Sequence, residues 1–136
     1  MTKTQGVSLA SLSASTSAAF EFEYVTPAGK HTGIFFQVLS GQSETVTAEI
    51  NKLVNQRRQA EAAQAALGGR DARTAFTPVE DDVAFGQRLA AVRLVGWRGI
   101  EEEFSPERAL QLCQSNADIA AQITEKSSNV GNFMRL

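Results

Sequence analysis

Nucleophilic catalysis is the first chemistry to consider, because it needs a serine, cysteine or lysine held beside a base. The chain contains one histidine, His31, and one cysteine, Cys113. His31 lies among turn-forming residues, which favours a solvent-facing position in a turn. Cys113 follows Leu112 in a predicted short helix, where a small packed apolar residue is typical. The sequence therefore offers no clear catalytic pair, and we expect no enzymatic activity.

The carboxylates fall into two groups, and neither is spaced as a metal or acid–base site. Asp81 and Asp82 stand at a predicted helix start, where the helix dipole favours negative charge. Glu101, Glu102 and Glu103 are consecutive, so their side chains point in different directions. This run is either a solvated turn or an acidic surface for a basic partner. One cysteine and one histidine also exclude an internal disulfide and a structural zinc site, so we expect no metal or cofactor.

A local excess of positive charge lies between Lys52 and Arg73, where five basic residues accompany two acidic ones. Aromatic residues are absent from this segment, so nucleic-acid bases would have no platform for stacking. Gly68 and Gly69 lack the preceding strand, the spacing and the lysine of a phosphate-binding loop. The segment is either a solvated helix face or a contact for an acidic partner. The net charge of −2 agrees with the absence of a nucleic-acid partner.

The chain is 136 residues long, 43% hydrophobic and 21% charged, which predicts one domain with a core of its own. Residues 1–19 are rich in Ser, Thr and Ala and lack the apolar run of a signal peptide. They are predicted to form an N-terminal arm, either mobile or ordered against a neighbouring subunit through Val7, Leu9 and Leu12. Residues 20–136 form the predicted domain. No stretch approaches the ~20 apolar residues of a membrane-spanning helix.

Two segments near the start of the domain have the character of β-strands. Residues 20–26 alternate aromatic residues with glutamate and valine, which predicts a half-buried strand. Pro27 opens a connection of six or seven residues that ends at Gly33, and Ile34 begins a second strand through residue 39. The two strands make a β-hairpin. Because an isolated hairpin is marginal in water, its aromatic face must pack on a helix or on another subunit.

About four helices follow, each beginning at a residue that suits an N-terminal cap: Ser43, Thr77, Ser105 and Asn116. The first helix ends at the paired glycines 68–69, and past Asn55 its apolar stripe fades, so this half is either exposed or closely packed on another helix. The second begins with Pro78 and a capping box to Glu80. It is expected to end near Val95, before an irregular segment, and to point four side chains inward: Val79, Val83, Leu89 and Val92. The fold class is α+β, an N-terminal β-hairpin packed on a mainly α-helical domain.

Between Thr77 and Phe133 a predicted helix leads into VRLVGWRGI (92–100), an acidic stretch, FSPERALQL (104–112), a short helix starting at Asn116, and the pair NF (132–133). This order resembles the C-terminal half of small tail assembly chaperones of long-tailed, lambda-like (siphovirus) bacteriophages. The likeness covers about 57 of the 136 residues and rests on hydrophobic and capping patterns. In the family the acidic turn is often longer and contains glycine, whereas here Glu103 is followed directly by Phe104.

The resemblance implies a non-enzymatic role in the host cytoplasm. Such chaperones bind the long, helical, apolar tape-measure protein, keep it soluble, and help to recruit tail-tube subunits before the tube polymerises. Several form homo-oligomers. The alternative function is that of a structural tail or head–tail connector subunit of the virion, because a hairpin with an N-terminal arm suits ring assembly by strand addition.

Candidate partner-binding residues are apolar or charged groups that a binding protein would expose: Phe35, Phe36, Arg57, Arg58, Glu101, Glu102, Glu103, Phe133 and Met134. Each also fits an ordinary core or a solvated helix face. Trp97 is interpreted as a core anchor whose indole N–H finds a carbonyl. The basic excess at 52–73 and the acidic groups at 80–82 and 101–107 predict that identical subunits meet head to tail.

Overall fold

The computed structural model describes residues 18–68 and 79–134, apart from a few side chains at the ends of two helices. In chain order its elements are β1 (Phe20–Val25), β2 (His31–Val38), α1 (Glu44–Gly68), α2 (Val79–Ala91), β3 (Leu94–Arg98), α3 (Pro106–Ser115), α4 (Ala117–Ser128) and a 3-10 helix (Val130–Phe133). This architecture confirms the predicted α+β class, with an N-terminal hairpin and about four helices. The predictions for residues 1–17, for residues 69–78, among them Gly69, Thr77 and Pro78, and for the side chains of residues 79–81 lie outside the described part.

The sheet is antiparallel, with strand order β1-β2-β3. β2 begins at His31, earlier than the predicted Ile34, so the hairpin loop spans only residues 26–30. The pairing places Val25 opposite His31. Glu23 supports it, since one carboxylate oxygen accepts a hydrogen bond from the Gly33 amide and the other lies 2.6 Å from the His31 ring. The predicted longer loop is therefore wrong, although the hairpin itself is confirmed.

The third strand was not predicted. The second helix was expected to reach Val95, but α2 ends at Ala91 and an antiparallel strand follows the turn after it. A register shift in the β2–β3 ladder lets Leu94 and Trp97 both lie opposite buried residues of β2. The two side chains are thus three residues apart on one face, a spacing that imitates a helix.

The core fills the space between the inner sheet face and helices α2, α3 and α4. Buried side chains of β1, β2, α3, α4 and the 3-10 helix contribute to it, including Phe22, Phe36, Val38, Cys113, Ile123 and Phe133. The predicted inward face of α2 is wrong at Val83, which is 54% exposed, whereas Ala90 and Ala91 are buried. Small residues at these two positions let α2 approach α3 and α4 closely.

Three of the predicted helix starts carry the expected caps. The Ser43 Oγ accepts from the Val46 amide at 3.2 Å, and the Ser105 Oγ accepts from the Arg108 amide at 3.1 Å. The Asn116 side chain accepts from the Ile119 amide at 3.1 Å. These bonds satisfy amides that have no partner inside their own helix, which confirms the positions of the starts.

Candidate partner-binding site

Helix α1 is anchored at one end and exposed over most of its length. Val46 is fully buried, and Ile50, Leu53 and Val54 are half-buried. Beyond Asn55 the described side chains up to residue 66 are exposed, with only Arg57 and Ala65 partly covered. At 1.5 Å per residue, this 25-residue helix extends for about 37 Å. Of the two predicted alternatives for its second half, exposure is confirmed.

Two adjoining cavities line the side of α1 that faces the rest of the domain. The first, of about 270 Å³, lies between α1 and α2 and includes Ala60, Ala84 and Phe85. The second, of about 300 Å³, lies between the same helices and the start of α3. Leu53 and Arg88 line both cavities, so the two form one continuous surface. We call it the α1–α2 groove. The remaining lining of the second cavity is apolar, whereas the first also contains polar side chains, among them Gln56, Glu61 and Gln64. The apolar residues of the second cavity are Ala91, Val92, Pro106 and Leu110.

One of the two arginines in the groove is already neutralised. Arg57 pairs with Asp82 on α2, bonds Glu61 one turn along α1 at 3.3 Å, and lies 4.6 Å from the centre of the Phe85 ring. The bond to Asp82 is the main reason that the pKa of Arg57 is raised. Arg57, a predicted contact residue, therefore holds α1 against α2, while its neighbour Arg58 points to solvent.

The other arginine has no partner in the part of the chain that the structure describes. Arg88 forms no ion pair or hydrogen bond with any residue in the described ranges 18–68 and 79–134. It lies where the two cavities meet, beside Leu53. Sequence reasoning missed Arg88. The available signal was its spacing, since it follows Phe85 by three residues and precedes Val92 by four, which places a cation on the apolar face of α2.

The aromatic candidates divide between core and surface. Phe36 is fully buried and Phe133 is 4% exposed, so both belong to the core, and the interpretation of these two as free contact residues is set aside. Met134, which follows Phe133, is half-buried. Phe35 lies on the opposite sheet face, where the Arg98 guanidinium covers its ring at 3.8 Å.

The acidic candidates are exposed, and their backbone has a structural role. Glu101, Glu102 and Glu103 all present their side chains to solvent. The Glu102 carbonyl accepts from the Trp97 indole at 2.9 Å, and the Glu103 carbonyl accepts from Arg108 at 2.8 Å. The expected carbonyl partner of Trp97 is confirmed. These two hydrogen bonds hold the backbone of the turn, and the three carboxylates remain exposed to solvent, where a partner could contact them.

The residues considered for catalysis are not brought together. Cys113 is fully buried, and burial raises the pKa of its thiol to about 11. His31 starts β2 with its side chain 73% exposed and its Nδ1 2.6 Å from Glu23. Within residues 18–68 and 79–134, no three His, Cys, Asp or Glu side chains cluster to hold a metal ion. None of the described helices combines the length and apolarity needed to cross a bilayer.

Comparisons with protein-family models, with curated proteins and with solved structures give no match to this chain.

Proposed function

We propose that the protein is a tail assembly chaperone of a long-tailed bacteriophage. In this role it binds the tape-measure protein in the host cytoplasm, keeps it soluble, and helps to recruit tail-tube subunits, without catalysis. The observation that carries the proposal is the α1–α2 groove, an open and mainly apolar surface beside a long exposed helix. The resemblance of residues 77–133 to such chaperones supplies the identity of the partner.

The groove suits a helical partner for a physical reason. An amphipathic helix binds by laying its apolar face into a hydrophobic groove, with anchors at spacings of three and four residues. A long helical protein with exposed apolar faces aggregates unless those faces are covered. A groove lined by Leu53, Phe85 and Leu110 can cover one such face, and the exposed half of α1 extends the contact.

Self-association is part of the proposal, with a refinement from the observed ion pairs. Arg57 and Asp82, members of the predicted complementary charge groups, meet within one chain. Among the described members of these groups, Arg58 on α1 and the run 101–103 are exposed and available for contact between subunits. We therefore assign the head-to-tail contact to these groups.

Co-expression with the tape-measure protein of the same genome tests the function. The chain should raise the soluble fraction of the tape-measure protein and co-purify with it. The variant Leu53→Glu, with a charge in the groove, should lose both effects, while Ala62→Glu on the exposed side of α1 should retain them. Circular dichroism establishes that both variants fold. A wild-type chain that neither solubilises nor retains the tape-measure protein would refute the proposal.

The edges of the sheet support the second candidate, a structural tail or head–tail connector subunit. In the described sheet, β1 and β3 each pair with only one strand, β2, so each has an edge that could accept a strand from a neighbouring subunit. Mass spectrometry of purified mature particles separates the two functions. A connector remains in the particle, whereas an assembly chaperone is absent from it.

A further inference from the structure

We infer that the α1–α2 groove selects a helix that carries a carboxylate, and that Arg88 is the residue that recognises it. The inference rests on the proposed function, since the occupant is taken to be a helical segment of the tape-measure protein. It adds a chemical requirement, an aspartate or glutamate flanked by apolar residues on the bound face.

The requirement follows from the surroundings of Arg88. Arg88 is exposed and lines both cavities, and every other residue that lines the second cavity is apolar, including Leu53, Val92 and Leu110. Arg88 has no ion pair within the described residues. In the free protein, water solvates this charge. A partner that covers the groove removes that water, and an uncompensated charge is costly to bury. A helix that brings a carboxylate to Arg88 avoids the cost and gains a bidentate, charge-assisted pair.

Arg57, the other arginine of the groove, explains why the partner helix needs a carboxylate at only one position. It lies in the same groove but already pairs with Asp82 and Glu61. A partner that covers Arg57 buries a neutralised group, so it needs no further anion. The one cation of the described groove lining that lacks a carboxylate is Arg88. A helix with a lysine or arginine at the matching position would place two like charges together and be rejected.

The dimensions of the groove fit a short helical segment. On α1 the lining runs from Leu53 to Gln64, which at 1.5 Å per residue corresponds to about 16 Å, or three helical turns. The second cavity continues it to Leu110 on α3. A partner helix of about four turns would fill both cavities, with its carboxylate at the shared centre beside Arg88 and apolar anchors on either side.

Overlapping, fluorescein-labelled peptides that cover the tape-measure sequence, each of about seven helical turns, provide the probe. Fluorescence anisotropy gives the Kd of the full chain for each peptide. We expect the binding peptides to share an Asp or Glu between apolar residues. Arg88→Glu should weaken binding at least about ten-fold, and Arg88→Lys less, because lysine keeps the charge but loses the bidentate geometry. Lys30→Glu, the same charge change at an exposed lysine of the hairpin loop outside the groove, is the matched control and should bind as wild type.

A charge swap gives the most specific result. A peptide whose acidic residue is replaced by arginine should bind poorly to the wild type and regain affinity for Arg88→Glu. Equal affinities of wild type and Arg88→Glu for a bound peptide would overturn the inference and leave the proposed function standing. Absence of any tape-measure binding by the wild type would overturn both. Loss of self-association in Arg88→Glu during sedimentation, with peptide binding unchanged, would assign the groove to a second copy and also overturn it.

Discussion

The indole nitrogen of Trp97 donates a hydrogen bond of 2.9 Å to the backbone carbonyl of Glu102 and so ties β3 to the acidic turn. The Trp97 ring meets Phe104 edge-on, with 5.1 Å between ring centres, and Phe36 at 6.5 Å. One side chain thus connects the sheet, the core and the segment that leads into α3. This aromatic anchor holds the backbone of the turn whose exposed side chains are the carboxylates of residues 101–103.

Trp97→Phe should lower the free energy of unfolding by about 1 kcal/mol, the usual worth of one hydrogen bond, together with a small loss of packing. Trp97→Ala removes the aromatic contacts as well and should cost about 3 kcal/mol. Because Trp97 is the only tryptophan, urea unfolding is best followed by circular dichroism. Val95→Ala, in the same strand but 40% exposed, should change stability by less than about 0.5 kcal/mol. Equal stabilities of wild type and Trp97→Ala would contradict the anchoring role.

Gly99 should be far less tolerant of substitution than Gly29. Both have positive φ, 88° and 84°, so an alanine at either position costs about 1–2 kcal/mol of backbone strain. A Cβ at Gly99 would also collide with the backbone carbonyl of Gly33, whereas a Cβ at Gly29 meets open space. Thermal unfolding should therefore show a larger loss for Gly99→Ala than for Gly29→Ala. Identical melting temperatures of the two variants would show that the collision is relieved without cost.

Cys113 should make stability fall in alkaline solution. Its pKa rises from 9.0 to about 11 on folding, because burial disfavours the thiolate. The unfolded chain therefore releases this proton first, and the thiol's contribution, complete below pH 9, is lost between pH 9 and about 11. Urea unfolding across this range should show a shallower decline for Cys113→Ala than for wild type. Desolvation also raises the pKa of Tyr24, which contributes to the decline in both proteins. The contribution of the thiol is therefore the difference between wild type and Cys113→Ala in how the free energy of unfolding changes with pH.

The parts of the fold that were predictable depend on local chemistry. The caps at Ser43, Ser105 and Asn116 need only a side-chain oxygen three residues before a free amide, and all three are present. The alternation in β1 likewise follows from neighbouring residues along one strand. Such signals survive in a single sequence because no distant residue is required to produce them.

The third strand and the groove depend on residues far apart in the sequence. The register shift between Gln37 and Val38, whose partners on β3 are Gly96 and Leu94, interrupts the two-residue period of β3 and places Leu94 and Trp97 on one face. The groove needs Arg57 to meet Asp82, a contact across 25 positions. This contact occupies one arginine, while Arg88 has no partner among the described residues. The sequence shows that both arginines are present, but the ion pair between α1 and α2 decides which of them can bind a partner.

Self-association should weaken as salt concentration rises. The charges assigned to the contact, Arg58 and the run 101–103, are all exposed. Attraction between exposed charges is screened beyond about 10 Å at 0.1 M salt and about 3 Å at 1 M. Sedimentation velocity at about 0.05, 0.15 and 1 M sodium chloride should therefore show progressive loss of the largest species. Arg58→Glu should give small species at every salt concentration, and mixing it with Glu102→Lys should restore assembly through the reversed pair. Oligomers whose size is the same at all three concentrations would instead place the subunit contact on an apolar surface.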